Sequence, residues 1–171
     1  MTQRNKADKS KPGLTPNCPD ELLAISGSYA LLLTCRQQRP LAIGRLGTLH
    51  LQPGTYVYVG SAFGPGGLRA RLAHHLRIAE HFHWHLDYLR QATEPQAVWY
   101  STAAHRQEHL WAKLLTRSRG AQQPLPGFGA SDCACLTHLF FFSKEPSFAG
   151  FRRRLNQFSG VSPTLRKIEF H

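Results

Sequence analysis

Tyr29, Tyr58, Arg71 and His75 are the side chains in this sequence best suited to cutting a phosphodiester, if the fold gathers them. That reaction needs an in-line oxygen nucleophile, positive charge against the phosphoryl oxygens and help for the leaving oxygen. A free phenol has a pKa near 10 and is a poor base at neutral pH, but an adjacent arginine favours phenolate and lowers that value. The expectation is that Tyr29 and Tyr58 bracket the attacking water, one of them as general base, with His75 relaying the proton. Arg71 would brace the phosphoryl oxygens through its planar fork of donors. Glu108 would coordinate one Mg2+ or Mn2+, which polarises the phosphate. Gly60 and its glycine-rich neighbours would let the substrate backbone approach. Plainer readings stand beside these: strand tyrosines are usually core aromatics, and a glutamate in a first helical turn also suits the helix dipole.

Further residues are candidates for the edge of such a site or for contact with nucleic acid: Ser61, Arg69, His74, His85, Asp87 and Asp132. The run His81-Phe82-His83-Trp84-His85-Leu86-Asp87 offers a competing site. Were it extended, His81, His83, His85 and Asp87 would share one face and could cage a metal. Trp84 and Tyr88, one helical turn apart, instead favour a helix and a wall flanking the site. Cys133-x-Cys135-x-x-His138 has soft ligands that suit zinc, yet it lacks a second CxxC or a paired histidine. Zinc is therefore not expected, and buried apolar thiols are the default. Arg152-Arg153-Arg154 could contact phosphate or form a solvated helix face.

Positioning these groups falls to short, well-punctuated elements. Ser28 to Cys35 is continuously apolar between Gly27 and Arg36, as a buried strand would be. A turn at Arg36–Pro40 leads to a second strand from Leu41 to Arg45, with Gly47–Leu51 a candidate continuation after a bend. Tyr56-Val57-Tyr58-Val59 makes a third strand, and hairpin-like spacing predicts antiparallel pairing. Four glycines and a proline between Gly60 and Gly67 exclude regular structure. Leu68, Leu72 and Leu76 then mark a helix that faces a core, with Arg71 and His75 together on another face. Downstream the pattern predicts helices over Trp84–Gln91, Arg106–Arg117 and Phe148–Phe158, and strands over Ala97–Ser101 and Thr137–Phe142. Gln122–Ser131, rich in proline and glycine, reads as a loop.

The fold class expected is α+β, a small, mainly antiparallel central sheet flanked by helices. The 171 residues suit one domain, placed over residues 21–160, with a disordered basic arm at 1–20 and a loosely held tail at 161–171. The net charge is +11, and the first 13 residues, with four cations against Asp8, account for only +3 of it. The body is basic in its own right, with a whole-chain pI of about 10.1. Such a field attracts polyanions, of which nucleic acids are the common case. No apolar run approaches the roughly 20 residues of a membrane span, so no membrane partner is expected. The first residues lack a signal peptide's apolar segment, and four cysteines without one imply reduced thiols and a cytoplasmic location.

Gly27-Ser28-Tyr29, Tyr58-Val59-Gly60 and Arg71-Leu72-Ala73-His74-His75 together resemble the GIY-YIG nuclease superfamily. Ser28 stands where the first signature has isoleucine. The likeness narrows to a branch termed domain of unknown function 123, sometimes fused to endonuclease III-type glycosylases. It rests on runs similar to Tyr56–Ala62, His83–Leu89 and Gly127–Cys133, the last continuing to Phe140. The resemblance implies a metal-dependent endonuclease with a GIY-YIG-like fold, in which Tyr29, Tyr58, Arg71, His75 and Glu108 form the site. DNA is the expected substrate, with damaged or branched structures among the candidates. The rival expectation is a nucleic-acid-binding module that has kept the scaffold and lost catalysis.

Overall fold

The computed structural model describes Pro19, Leu22, residues 24–159 and residues 164–170. The arm expected over residues 1–20 lies, Pro19 apart, outside them. The central strand β1 (Gly27–Cys35) runs antiparallel to both β4 (Gly54–Ala62) and β5 (Glu94–Ser101). Strands β6 (Leu139–Phe142) and β7 (Arg166–Glu169) complete a five-stranded sheet in the order β6-β4-β1-β5-β7. Every neighbouring pair is antiparallel. With helices on both faces, the domain is α+β.

A strand with a neighbour on each edge and helices over each face has no exposed side, which accounts for the unbroken apolar run of β1. Its alternate residues enter different cores. Tyr29, Leu31 and Leu33 pack on one face with α1 (Gly67–Leu76) and α2 (His85–Arg90), through Leu68, Leu72, Leu86 and Leu89. Ala30 and Leu32 pack on the other with α3 (Glu108–Thr116) and α4 (Phe148–Ser159), through Trp99, Trp111, Phe140 and Phe151.

Three readings of the sequence are revised. Arg39 and Pro40 are not in a turn but begin β2 (Arg39–Ile43), which pairs with β3 (Gly47–Leu51) as a separate two-stranded sheet. This hairpin, inserted between β1 and β4, adds Ile43, Leu49 and Leu51 to the α1/α2 core. The C-terminal residues are not a loose tail throughout: Arg166–Glu169 pair with Ala97–Tyr100, and Ile168 is buried. Charged neighbours around one apolar residue are what a half-solvated edge strand tolerates, so the stretch reads as polar tail.

The glycine-rich turn after β4 works through backbone angles. Gly66 and Gly67 take φ of 78° and 54°, in the left-handed region, and a Cβ on Gly67 would meet the Ile25 backbone. The far end of α1 is fastened by Arg90. Its guanidinium donates to the carbonyls of His75 (2.9 Å), Leu76 (2.9 Å) and Thr93, satisfying acceptors that the helix end leaves open.

Candidate functional site

At the Gly27 end of β1, Tyr29 lies opposite Gly60 in the strand register. A Cβ on Gly60 would stand 2.6 Å from the Tyr29 Cζ, so the glycine exists to let this ring fold across the neighbouring strand. The Tyr29 hydroxyl is hydrogen-bonded to His75 Nε2 at 2.8 Å. Tyr58 completes a triangle of rings, with centroids 6.4 Å from Tyr29 and 5.8 Å from His75. Arg71, one helical turn before His75, is half-buried with its guanidinium 4.7 Å from the Trp84 ring centroid. Its charge acts on Tyr29, Tyr58 and His75 alike. The four residues first singled out are therefore one cluster.

Their protonation departs from expectation. Arg71 does pull both phenols down, but burial outweighs it: Tyr58 is pushed up to about 12, and Tyr29 stands well above its ordinary value. Burial first, and Arg71 second, press His75 down to about 3. The resting cluster is thus two neutral phenols and a neutral imidazole beside a fixed guanidinium. His75 Nδ1 is buried and has no hydrogen-bond partner among the described residues. Arg71 is the fixed positive charge beside it, and Asp87, Glu108 and Asp132 act on the same rings with the opposite sign.

The flanking run forms a wall, not a metal cage. Because α2 begins at His85, His81 and His83 remain exposed while His85 and Asp87 turn inward. Asp87 Oδ2 accepts from the amides of His83 and Trp84 at 2.8 Å each, and Oδ1 lies 3.1 Å from His74 Nε2. Burial pushes the Asp87 carboxyl up, but these donors outweigh it and hold the group below its ordinary range. Arg77 donates to His74 Nδ1 (2.9 Å), which leaves the His74 proton on Nε2, facing Asp87. His85 Nδ1 accepts from the Gly129 amide at 3.0 Å, and Gly129, at φ 68°, packs against the Tyr58 ring. Trp84, Arg71, His74 and Arg77 line a cleft that opens toward the glycine-rich turn at Gly64 and Pro65.

Glu108 arrives from the opposite layer. Ser28 Oγ accepts from the Gln107 amide at 2.9 Å, tying the start of α3 to the residue before Tyr29. This is a positioning role that the sequence pattern did not disclose. Glu108 is buried and acts electrostatically on Tyr29. Its Oε2 is buried without a hydrogen-bond partner among the described residues, while Oε1 lies 3.8 Å from Arg106 Nη1. A buried carboxylate oxygen without a partner fits Mg2+ or Mn2+, which commonly take one or two carboxylates plus substrate oxygens and water.

Other candidates are more peripheral. Ser61 accepts from Arg106 (2.7 Å), whose guanidinium lies over Phe63; Arg106 was not singled out in the sequence because nothing in its spacing ties it to Ser61. Arg69 is exposed on α1, and Asp132 is exposed on the loop after Gly129, acting on Tyr58 through its charge. The Arg152-Arg153-Arg154 run is divided: Arg154 donates to Ser118 Oγ at 2.8 Å, and all three sit on α4, beneath the face opposite the tyrosines.

An α+β domain with a Tyr–Tyr–His cluster under one arginine, Tyr29 and His75 buried and Tyr58 half-buried, is thus the class that fold and site define. Residues 28–159 match the family described as Domain of unknown function DUF123, and the chain belongs to that family. No curated protein and no solved structure matches it. No helix among the described residues is long and apolar enough to cross a membrane.

Proposed function

We propose that this domain is a metal-dependent endonuclease of the GIY-YIG type that hydrolyses phosphodiester bonds in DNA, on damaged or branched structures. The observation that carries the reading is the convergence of Tyr29, Tyr58, Arg71 and His75 with Glu108, from four separate stretches of sequence, beside a basic cleft that Arg71 lines. In this reading the cleft beside Trp84 seats the substrate backbone, and Arg71 holds the phosphoryl oxygens. Tyr58 and Tyr29 orient the attacking water. As that water loses its proton to the Tyr29 oxygen, the phenolic proton moves along the 2.8 Å hydrogen bond to His75 Nε2. Neither phenolate nor imidazolium is populated at rest, so the transfer is concerted and is favoured once phosphate negative charge enters the site. Glu108 is the residue that would hold Mg2+ or Mn2+, which when bound polarises the phosphate and stabilises the leaving oxygen.

A cleavage assay over duplex, nicked, flapped and branched DNA with Mg2+ or Mn2+ tests this. Glu108→Gln should abolish cutting and Arg71→Ala should lower it by about 10²–10³-fold, both leaving much of the binding. Binding without cutting across the whole panel, by protein that is folded and metal-supplied, would favour an inactive nucleic-acid-binding module. Normal cutting by Glu108→Gln would remove the metal assignment alone.

A further inference from the structure

Residues far apart in sequence meet a second time, on the other side of Glu108. His109 Nδ1 lies 3.2 Å from Cys135 Sγ, and Cys133 Sγ lies 3.4 Å from His138 Nε2. The four ligand atoms all lie within 4.8 Å of one another. The missing element of the Cys133-x-Cys135-x-x-His138 pattern was a paired histidine, and α3 supplies it. We propose that His109, Cys133, Cys135 and His138 form a structural zinc site of the Cys2His2 type.

Geometry and chemistry both favour zinc. Tetrahedral zinc, with Zn–S of about 2.3 Å and Zn–N of about 2.0–2.1 Å, sets S···N edges of about 3.6 Å and an S···S edge of about 3.8 Å. The two measured S···N separations fall within about 0.4 Å of that edge, so small side-chain rotations close the tetrahedron. A thiol is a weak hydrogen-bond partner, and two thiols facing two imidazoles with Glu108 adjacent form a poor cluster unless a cation joins them. Softness discriminates further: two sulfurs and two imidazoles select zinc over the hard Mg2+ or Mn2+ assigned to Glu108. Four protein ligands fill the coordination shell, which makes the site structural and leaves no position for substrate or water.

Its place in the fold gives the metal a task. His109 follows Glu108 on α3, and the cysteines belong to the irregular segment that carries Gly129, which supports Tyr58 and His85. Between Gln122 and Leu139 this segment has no helix or strand of its own. A metal bridging it to α3 would fix the carboxylate and the Tyr58 wall relative to each other. The proposal stands whether or not the domain cuts DNA.

Metal content of the full chain, purified without chelator and dialysed, is the first measurement, with one zinc per chain expected. Ten histidines can hold metal weakly, so cobalt substitution must identify the ligands. The native chain should show thiolate-to-cobalt charge transfer and the intense visible bands of four-coordinate cobalt, and Cys133→Ser/Cys135→Ser should show neither. Should that variant fail to fold, His109→Ala serves in its place: its side chain is exposed, and it should lower zinc affinity at least tenfold in competition with a chromophoric chelator. A native chain that takes up no stoichiometric zinc, a cobalt spectrum without sulfur charge transfer, or unchanged affinity in His109→Ala would each overturn the site. Because these readouts do not involve cleavage, their failure is separable from failure of the nuclease reading.

Discussion

The two faces of the sheet are built from the same strand and carry different chemistry. Toward α3 and α4, β1 contributes Ala30 and Leu32 to a core of Trp99, Trp111, Phe140 and Phe151. The aromatic rings there stack at 5.3 Å between centroids, in tilted and edge-on pairs. Toward α1 and α2, the same strand contributes Leu31 and Leu33 at one end but Tyr29 at the other, beside buried His75, Asp87 and Arg90. One face is stabilised by burial that no titration can alter. The other contains desolvated polar groups held neutral or paired at some cost, the arrangement in which functional sites are commonly found.

Four perturbations bear on that contrast. Phe151→Ala should destabilise the domain by about 3–5 kcal/mol through the cavity it leaves, with cleavage per folded molecule unchanged. Denaturant unfolding alongside the cleavage assay reads both, and lost activity in the folded variant would show that the faces are not separable. Arg71→Ala should do the reverse, lowering cleavage by about 10²–10³-fold, as loss of one transition-state donor does, with little change in the unfolding midpoint. A parallel collapse of stability would make Arg71 a packing residue.

The third perturbation concerns pH. The folded pKa of His75, about 3, lies below its unfolded value near 6.5, so at acid pH the unfolded chain takes up a proton that the folded chain refuses. Stability should therefore fall as pH drops from about 6.5 toward 3, by up to about 1.4 kcal/mol per unit. His75→Gln should flatten the curve in that window, and curves that stay parallel would discard the buried neutral imidazole. The smallest effect is expected from Ser28→Ala, which removes the acceptor of the Gln107 amide and should cost about 1 kcal/mol. If Ser28 also places Glu108, the variant should need more Mg2+ for half-maximal cleavage, and an unchanged metal requirement would confine it to stability.

Periodicity made α1 legible, since Leu68, Leu72 and Leu76 repeat at helical spacing, and the unbroken apolar run of β1 announced a strand covered on both sides. Local signals of this kind cannot fix pairings across the chain. The Ser28–Gln107 hydrogen bond, and the approach of His109 to Cys135, depend on where α3 lands and not on any spacing. Charge balance also eluded the sequence. Arginine was expected to lower the phenol pKa values, but burial exceeds its pull, and depth of burial is a property of the assembled layers. In β7, one buried Ile168 among charged neighbours is too weak a pattern to distinguish from a polar end.

The facing of Tyr29 and Gly60 makes two positions 31 residues apart a single choice. The aromatic ring occupies the volume that any side chain at position 60 would need. A methyl group gained there would force the ring out or require a smaller residue at position 29, and either change takes away the phenol. Exchange of one hydrogen atom on a strand is thus a chemical lesion on its neighbour, and engineering this domain means altering both positions together or neither.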